Sequence, residues 1–390
     1  MTSSPGKTAM VLSGGGAYGA FAIGVMKVLF AGRSPSTAYE PLPAEIFTGT
    51  SVGAFNAAMM TVQRGYDNLT AALQLENIWL NLVSERPGKG GNGVFRLRGN
   101  PADLLGPKYL GTEITGHIAE DTLSIGTYLL LRTANFLASS ASVEERSIAL
   151  LNIGSFIDSS PFHDLLLTLV DEGTIRQSPR QLKVSVTNWV TGTVRYFCNT
   201  DFEQGRGIQA ILASAAIPGV FPPVRIDRDI YVDGGLVENT PLNPAIEMGA
   251  TDIHVVYLDP KPSVVQLRGE PYTIDTMMRV YEIMLASKIS EDVETASWIN
   301  SGLNAIAAYE HGQTISNTRF RDLLRTAGQF MKNSQVHYKP LTIHRYFPEA
   351  SLGGDFGMLN FGVEAIARMI AEGERMASIH DCEESGCLLN

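Results

Sequence analysis

Glu45-Ile46-Phe47-Thr48-Gly49-Thr50-Ser51-Val52-Gly53-Ala54-Phe55-Asn56 sets a serine between two glycines at the point where a short apolar strand gives way to an apolar helix. A strand-to-helix turn this sharp presents the serine alcohol for attack, and it leaves no room for side chains on either flank. Val52 to Met60 reads as the helix, with its N-terminal amides facing the serine. By itself the Gly-x-Ser-x-Gly pattern says little. A chain with 38 glycines in 390 residues supplies roughly 0.3 such matches by chance, and a structural serine buried in a tight turn has the same spelling.

Upstream, Thr8 to Ser13 reads as an apolar strand, Gly14-Gly15-Gly16-Ala17-Tyr18-Gly19 as a loop, and Ala20 to Leu29 as a helix. Strand, loop, helix, strand, elbow, helix is the rhythm of a parallel α/β sheet. The loop also fits the dinucleotide fingerprint Gly14-x-Gly16-x-x-Gly19. A nucleotide-binding unit, however, needs an acid at the end of its second strand to hold the ribose. Here Glu45 stands at the start of that strand, and Ser51 closes it. The competing role is an oxyanion hole. Carboxyl ends of neighbouring parallel strands lie side by side, so the Gly15 and Gly16 amides can face Ser51. Each such donor stabilises a developing oxyanion by about 3 to 4 kcal/mol.

The serine needs a base. Of the seven histidines, His254 sits in an apolar strand and His344 in Leu341-Thr-Ile-His-Arg-Tyr346, positions that suit core or edge residues. The elbow also comes early in the chain, which does not match an ordinary Ser, Asp, His triad. Asp233 fits better. It ends the strand Ile230-Tyr231-Val232, its apolar neighbours partly desolvate it, and Gly234 and Gly235 keep space open around it. Desolvation raises a carboxylate's basicity, so Asp233 can act directly on Ser51 as half of a dyad. An Asp-Gly-Gly turn without chemistry is the structural alternative.

Elsewhere, helices are expected over Leu69 to Val83, from Ser160-Pro161, over Ile208 to Ala216, Thr276 to Glu310, Arg319 to Lys332 and Phe361 to Met376. Leu182 to Phe197 reads as a hairpin turning near Gly192, Ile217 to Val224 as a rigid proline-rich loop, and Ile253 to Leu258 as a buried strand. The span 122–156 reads as one or two inserted helices, a lid or a hairpin packed on the core.

A composition of 44% hydrophobic and 18% charged residues supports a large core, and the net charge of -10 argues against nucleic-acid binding. Arg86, Lys89, Arg96, Arg98 and Lys108 form a locally basic stretch, a solvated loop or a contact for an anionic headgroup. Cys198, Cys382 and Cys387 are too few for a disulfide scaffold and show no zinc spacing; the last pair reads as incidental in a polar tail. No signal peptide or membrane span is evident, which points to a cytoplasmic or peripheral membrane protein.

Four stretches, Leu12 to Ala20, Gly49 to Ala57, Ala213 to Pro223 and Tyr231 to Pro241, together resemble the patatin-like phospholipase family. The resemblance implies a three-layer α/β/α sandwich around a mainly parallel sheet. Residues 1–260 would form the catalytic core and 261–390 a mainly helical elaboration of the same domain. It implies Ser51 as nucleophile, Asp233 as proton acceptor, Gly14, Gly15, Gly16 and Gly19 around the oxyanion, and Gly49, Gly53, Gly234 and Gly235 in support. Lipid ester hydrolysis without metal or cofactor would follow, on phospholipid or lysophospholipid. Many members carry Arg or Lys where this chain has Tyr18, so the cation that would position the loop is missing. A nucleotide-binding oxidoreductase and a catalytically silent lipid-binding protein are the other two readings.

Overall fold

The computed structural model describes residues 6–63, 65–84, 92–97, 157–258, 279–281, 283–285, 289–310, 339–352 and 354–389, with isolated positions between 318 and 326. The expected insertion at 122–156, and most of the expected helix over 319–332, lie outside the described residues.

The strands are β1 (Lys7–Leu12), β2 (Ile46–Thr50), β3 (Arg96–Leu97), β4 (Ile157–Asp158), β5 (Gln181–Asn188), β6 (Val194–Cys198), β7 (Val224–Ile226), β8 (Asp229–Asp233), β9 (Ala250–Val256) and β10 (Thr342–Tyr346). Eight of them form one sheet in the order β10-β9-β1-β2-β5-β8-β7, with β6 also on β5. From β10 to β5 the pairing is parallel, while β6, β7 and β8 join antiparallel. The expected hairpin accounts for part of that mixture: β5 and β6 are joined by a turn with Gly192 at φ 67°.

The helices are α1 (Gly19–Phe30), α2 (Val52–Val62), α3 (Asn68–Ile78), α4 (Ser160–Leu169), α5 (Glu172–Arg176), α6 (Arg206–Ser214), α7 (Leu242–Glu247), α8 (Ile289–Glu310) and α9 (Val363–Ser378). Beyond Ile78 the helix widens into a π turn over Trp79–Val83. Strand periodicity divides the core into two layers. Met10, Leu12 and Phe47 face a cluster with α1, α2, α3 and α9, whereas Ala9, Val11 and Ile46 face α7 and Ala296 of α8. The result is an α/β/α sandwich. No helix among the described residues is long and apolar enough to cross a membrane.

Every residue of α1 is buried, as expected of a helix apolar on all sides. It sits directly against α9: a Cβ on Gly24 would fall 2.0 Å from the Ile370 carbonyl oxygen, and one on Gly373 would fall 2.1 Å from that of Phe21. Its single cation, Lys27, pairs with Glu76 of α3 at 2.8 Å and with Glu374 of α9.

The elbow imposes a limit of the same kind. A Cβ on Gly53 would lie 2.1 Å from the Leu12 carbonyl oxygen and 2.7 Å from that of Ser13, so α2 would have to part from β1. Gly53→Ala is therefore expected to destabilise the protein by about 3 kcal/mol or more, as overpacking against a fixed backbone does. Gly302→Ala, where a Cβ meets nothing within 4 Å in α8, is expected to stabilise by about 0.8 kcal/mol through helix propensity. Paired denaturant melts of the two variants check the contrast.

Candidate active site

The pairing of β5 explains how residues 51 and 233 meet. β6 runs along β5 from Lys183 to Thr187, so both β2, which pairs with 181–185, and β8, which pairs with 186–188, must occupy the opposite edge. β2 runs parallel to β5 and β8 antiparallel, so their carboxyl ends point at each other: Thr50 stands opposite Ser185 and Asp233 opposite the next residue, Val186. Ser51 and Asp233 thus converge from two strands nearly two hundred residues apart in the chain.

Ser51 has φ 56° and ψ -125°, the strained geometry of a nucleophile elbow, and only 4% of it is exposed. A Cβ on Gly49 would lie 2.2 Å from the Gly53 carbonyl oxygen, so both glycines of the elbow are sterically required. The Ser51 amide donates to Ser214 Oγ at 2.8 Å, and Ser214 donates in turn to the Ser185 carbonyl at 2.7 Å. Thr50 Oγ1 donates to the Glu238 carbonyl at 2.9 Å. Sequence reading gives Ser214 no role; its signal is a buried serine ending an amphipathic helix packed on the sheet.

Asp233 is fully buried. Burial pushes its pKa up to about 6; the Gly235 N–H, donating to Oδ1 at 2.7 Å, and the Ser51 and Tyr281 hydroxyls draw it partway back. Among the described residues Oδ2 closes no full hydrogen bond, although both hydroxyls lie near enough to favour the charged form. Gly234 and Gly235 leave this room: a Cβ on Gly234 would fall 2.5 Å from the Ser185 carbonyl oxygen, and one on Gly235 would fall 2.7 Å from the Tyr281 hydroxyl. Tyr281→Phe removes a donor to the carboxylate and is expected to raise the pKa of Asp233 further. The acid limb of any Asp233-dependent activity should move to higher pH, and a pH profile of kcat/KM checks the direction.

The glycine loop divides into two kinds of position. Gly14 donates its amide to Asn239 Oδ1 at 3.0 Å, and a Cβ there would lie 2.9 Å from Ser51 Cβ. Gly19 donates back to Ala17 and Gly16, and a Cβ there would run into Val52. Gly14 and Gly19 therefore give close approach, and their amides are already used. Gly15, at φ 156°, and Gly16, at φ 56°, accept from Tyr18 and Gly19 through their carbonyls, but their own amides donate no hydrogen bond among the described residues. Asn239 and the Ser13 to Thr240 hydroxyl pair at 2.8 Å tie this loop to the segment after Asp233. Tyr18 is 3% exposed, so that position is a core position in this chain.

A cavity of about 270 Å³ opens on Ser51 and Gly16. Phe55, Trp79, Phe162, Ile217, Phe221 and Phe361 give it an apolar wall, and the rigid loop from Ile217 to Val224 forms one side. Such a chamber accepts a hydrocarbon chain far better than a nucleotide. The two histidines stay outside it. His254 and His344 are 1% and 8% exposed and stack on each other at 4.7 Å, with burial pushing His344 down to about 4. Of the basic stretch, Arg96 is the one described residue, and its guanidinium is held at 2.8 Å by Asp158 between β3 and β4.

No curated protein sequence matches the chain. Among solved structures it is similar to VipD from Legionella pneumophila, at 15% identity, covering 97% of this chain and 67% of that one, with a TM-score of 0.36. The family model described as patatin-like phospholipase matches residues 10–246, more than half of the chain, and runs through the glycine loop, the elbow and the Asp-Gly-Gly turn. With the sandwich fold, and with the glycine loop and the elbow both lining one apolar cavity, the chain belongs to the patatin-like phospholipase family, whose members are lipid acyl hydrolases.

Proposed function

We propose that the protein is a serine lipid acyl hydrolase of phospholipase A or lysophospholipase type, working through a Ser51–Asp233 dyad. The observation that carries this reading is the head-on meeting of β2 and β8, which puts a strained serine beside a buried carboxylate at the base of an apolar cavity.

Asp233 takes the proton of Ser51 as Oγ attacks the ester carbonyl, and the Gly15 and Gly16 amides receive the charge that develops on oxygen. The alcohol leaves with the proton from Asp233, giving an acyl-serine. Water then attacks that ester, Asp233 takes its proton and passes it to Ser51 Oγ as the acyl bond breaks, and the fatty acid departs with the free enzyme restored. The N-terminus of α2 adds a partial positive charge at the same point. Substrate would be drawn from a lipid aggregate by peripheral contact.

Serine-directed fluorophosphonate distinguishes the three readings. The hydrolase is labelled at Ser51 and releases fatty acid from phospholipid or lysophospholipid vesicles. A silent lipid binder associates with vesicles without labelling, and an oxidoreductase binds NAD(P) instead. An unlabelled Ser51 in folded protein leaves the proposal without support.

The apolar wall leads to a further expectation. Each methylene brought into the cavity contributes about 0.8 kcal/mol, so kcat/KM on p-nitrophenyl esters should rise about fourfold per added carbon until the cavity is full. A flat series would show that the acyl chain lies elsewhere.

A further inference from the structure

At the far edge of the sheet, three strands beyond β2, the chain gathers two cysteines and two histidines. His380, Cys382 and Cys387 follow α9, and His344 lies in β10. The tail folds back along β10: Ile343 and Leu388 exchange both backbone hydrogen bonds, at 2.7 and 2.9 Å. Cys387 donates its amide to the Cys382 carbonyl at 2.8 Å, with Gly386 in the left-handed region at φ 62° closing the turn. One atom from each of the four side chains, a sulfur or a ring nitrogen, lies within 4.8 Å of the others.

We propose that His344, His380, Cys382 and Cys387 form a tetrahedral zinc site that fastens the C-terminal tail to β10. Cys382 Sγ is 3.4 Å from His344 Nδ1, and Cys387 Sγ is 3.4 Å from His380 Nε2. Zinc bonded at about 2.3 Å to sulfur and about 2.0 Å to nitrogen has a sulfur–nitrogen edge of about 3.5 Å, so these two pairs are close to bonded spacing, and the other ligand atoms lie within 4.8 Å of one another. Surrounding groups suit the same role. The Arg345 amide donates to Cys387 Sγ at 3.3 Å, as amides do to metal-bound sulfur. Asp252 stands 4.0 Å behind His344 Nε2, the ring nitrogen turned away from the site. His254 stacks on His344 at 4.7 Å and Tyr346 lies tilted against His380 at 4.5 Å, which limits rotation of both imidazoles.

Two thiolates and two neutral imidazoles balance a divalent cation, which makes the centre electrically neutral within a partly buried site. Binding displaces the two thiol protons into solvent, with no change of oxidation state. Borderline sulfur and nitrogen donors favour zinc over calcium or magnesium. The site is separated from Ser51 by β9 and β1, so its role is structural.

The test incubates the full-length protein, purified under reducing conditions, with Zn²⁺ and then desalts it. About one zinc per chain is expected. With Co²⁺ in place of zinc, wild-type protein should show the intense visible bands of tetrahedral cobalt and a sulfur-to-cobalt charge-transfer band, which read the ligand set without any variant. Cys382→Ser/Cys387→Ser, confirmed folded by circular dichroism, should lose both signals and bind zinc at least about 100-fold more weakly. Zinc should raise Tm in wild type and leave the double variant unchanged. Absence of stoichiometric zinc, a six-coordinate cobalt spectrum, a Cys382–Cys387 disulfide that persists in reducing buffer, or equal zinc binding by the variant overturns the assignment.

Discussion

Ser51→Ala is expected to lower turnover on lipid esters by roughly 10⁴- to 10⁶-fold while leaving the protein folded. The size follows from the absence of a substitute. The nearest hydroxyls are committed: Ser214 bridges the Ser51 amide and the Ser185 carbonyl, and Thr50 is bound to Glu238 and Ser185. Alanine keeps the Cβ and the backbone bonds of the elbow, so circular dichroism and the melting transition should stay close to wild type. Fluorophosphonate labelling should vanish together with fatty acid release. Because the serine and its base act as a unit, adding Asp233→Asn to Ser51→Ala should cost almost nothing more. A Ser51→Ala enzyme with several per cent of wild-type turnover would place the nucleophile elsewhere.

Ser51 and Asp233 are legible in the sequence for a steric reason. Each ends a strand and is flanked by glycines that backbone crowding requires, at 2.2 Å for Gly49 and 2.5 Å for Gly234, so the local spelling records a local constraint. The α/β/α layering is legible in the same way, through the alternation of Met10 and Leu12 against Ala9 and Val11. What holds the site is harder to read. Ser214, Asn239 and Tyr281 act across contacts between segments far apart in the chain, and a serine, an asparagine or a tyrosine in those segments has no distinctive local pattern. Which amides of the glycine loop are already bonded and which are left open also depends on Asn239 and Val52, which no spacing rule in the loop reveals. The cysteine pair of the tail reads as incidental because its histidine partners depend on how the tail folds. His344 joins Cys382 and Cys387 only when the tail pairs with β10, and that pairing rests on two backbone hydrogen bonds.

Asp233→Asn should abolish activity and stabilise the fold at once. An amide cannot take the Ser51 proton, and loss of the comparable acid-base partner in serine hydrolases costs roughly 10⁴-fold in kcat. In wild type the base is the charged form, and burial has raised its pKa from 3.8 to about 6. Activity should therefore fall below about pH 6, with kcat/KM on a neutral ester tracing a single acid limb there. Stability has the opposite sign. Between pH 3.8 and about 6 the folded chain binds more protons at this site than the unfolded chain, so stability falls as pH rises through that window. A shift of about two units corresponds to about 3 kcal/mol, borne by the ionised enzyme at neutral pH and absent below pH 3.8. Asparagine carries no charge to desolvate. Its oxygen can still accept from the Gly235 amide and its nitrogen can donate to the Tyr281 hydroxyl. Asp233→Asn should thus unfold at higher denaturant than wild type at pH 8, with the advantage shrinking as the pH is lowered toward 4. Equal midpoints for the two proteins at pH 8 would show that the carboxylate is not desolvated, and an unchanged kcat would remove it from the chemistry.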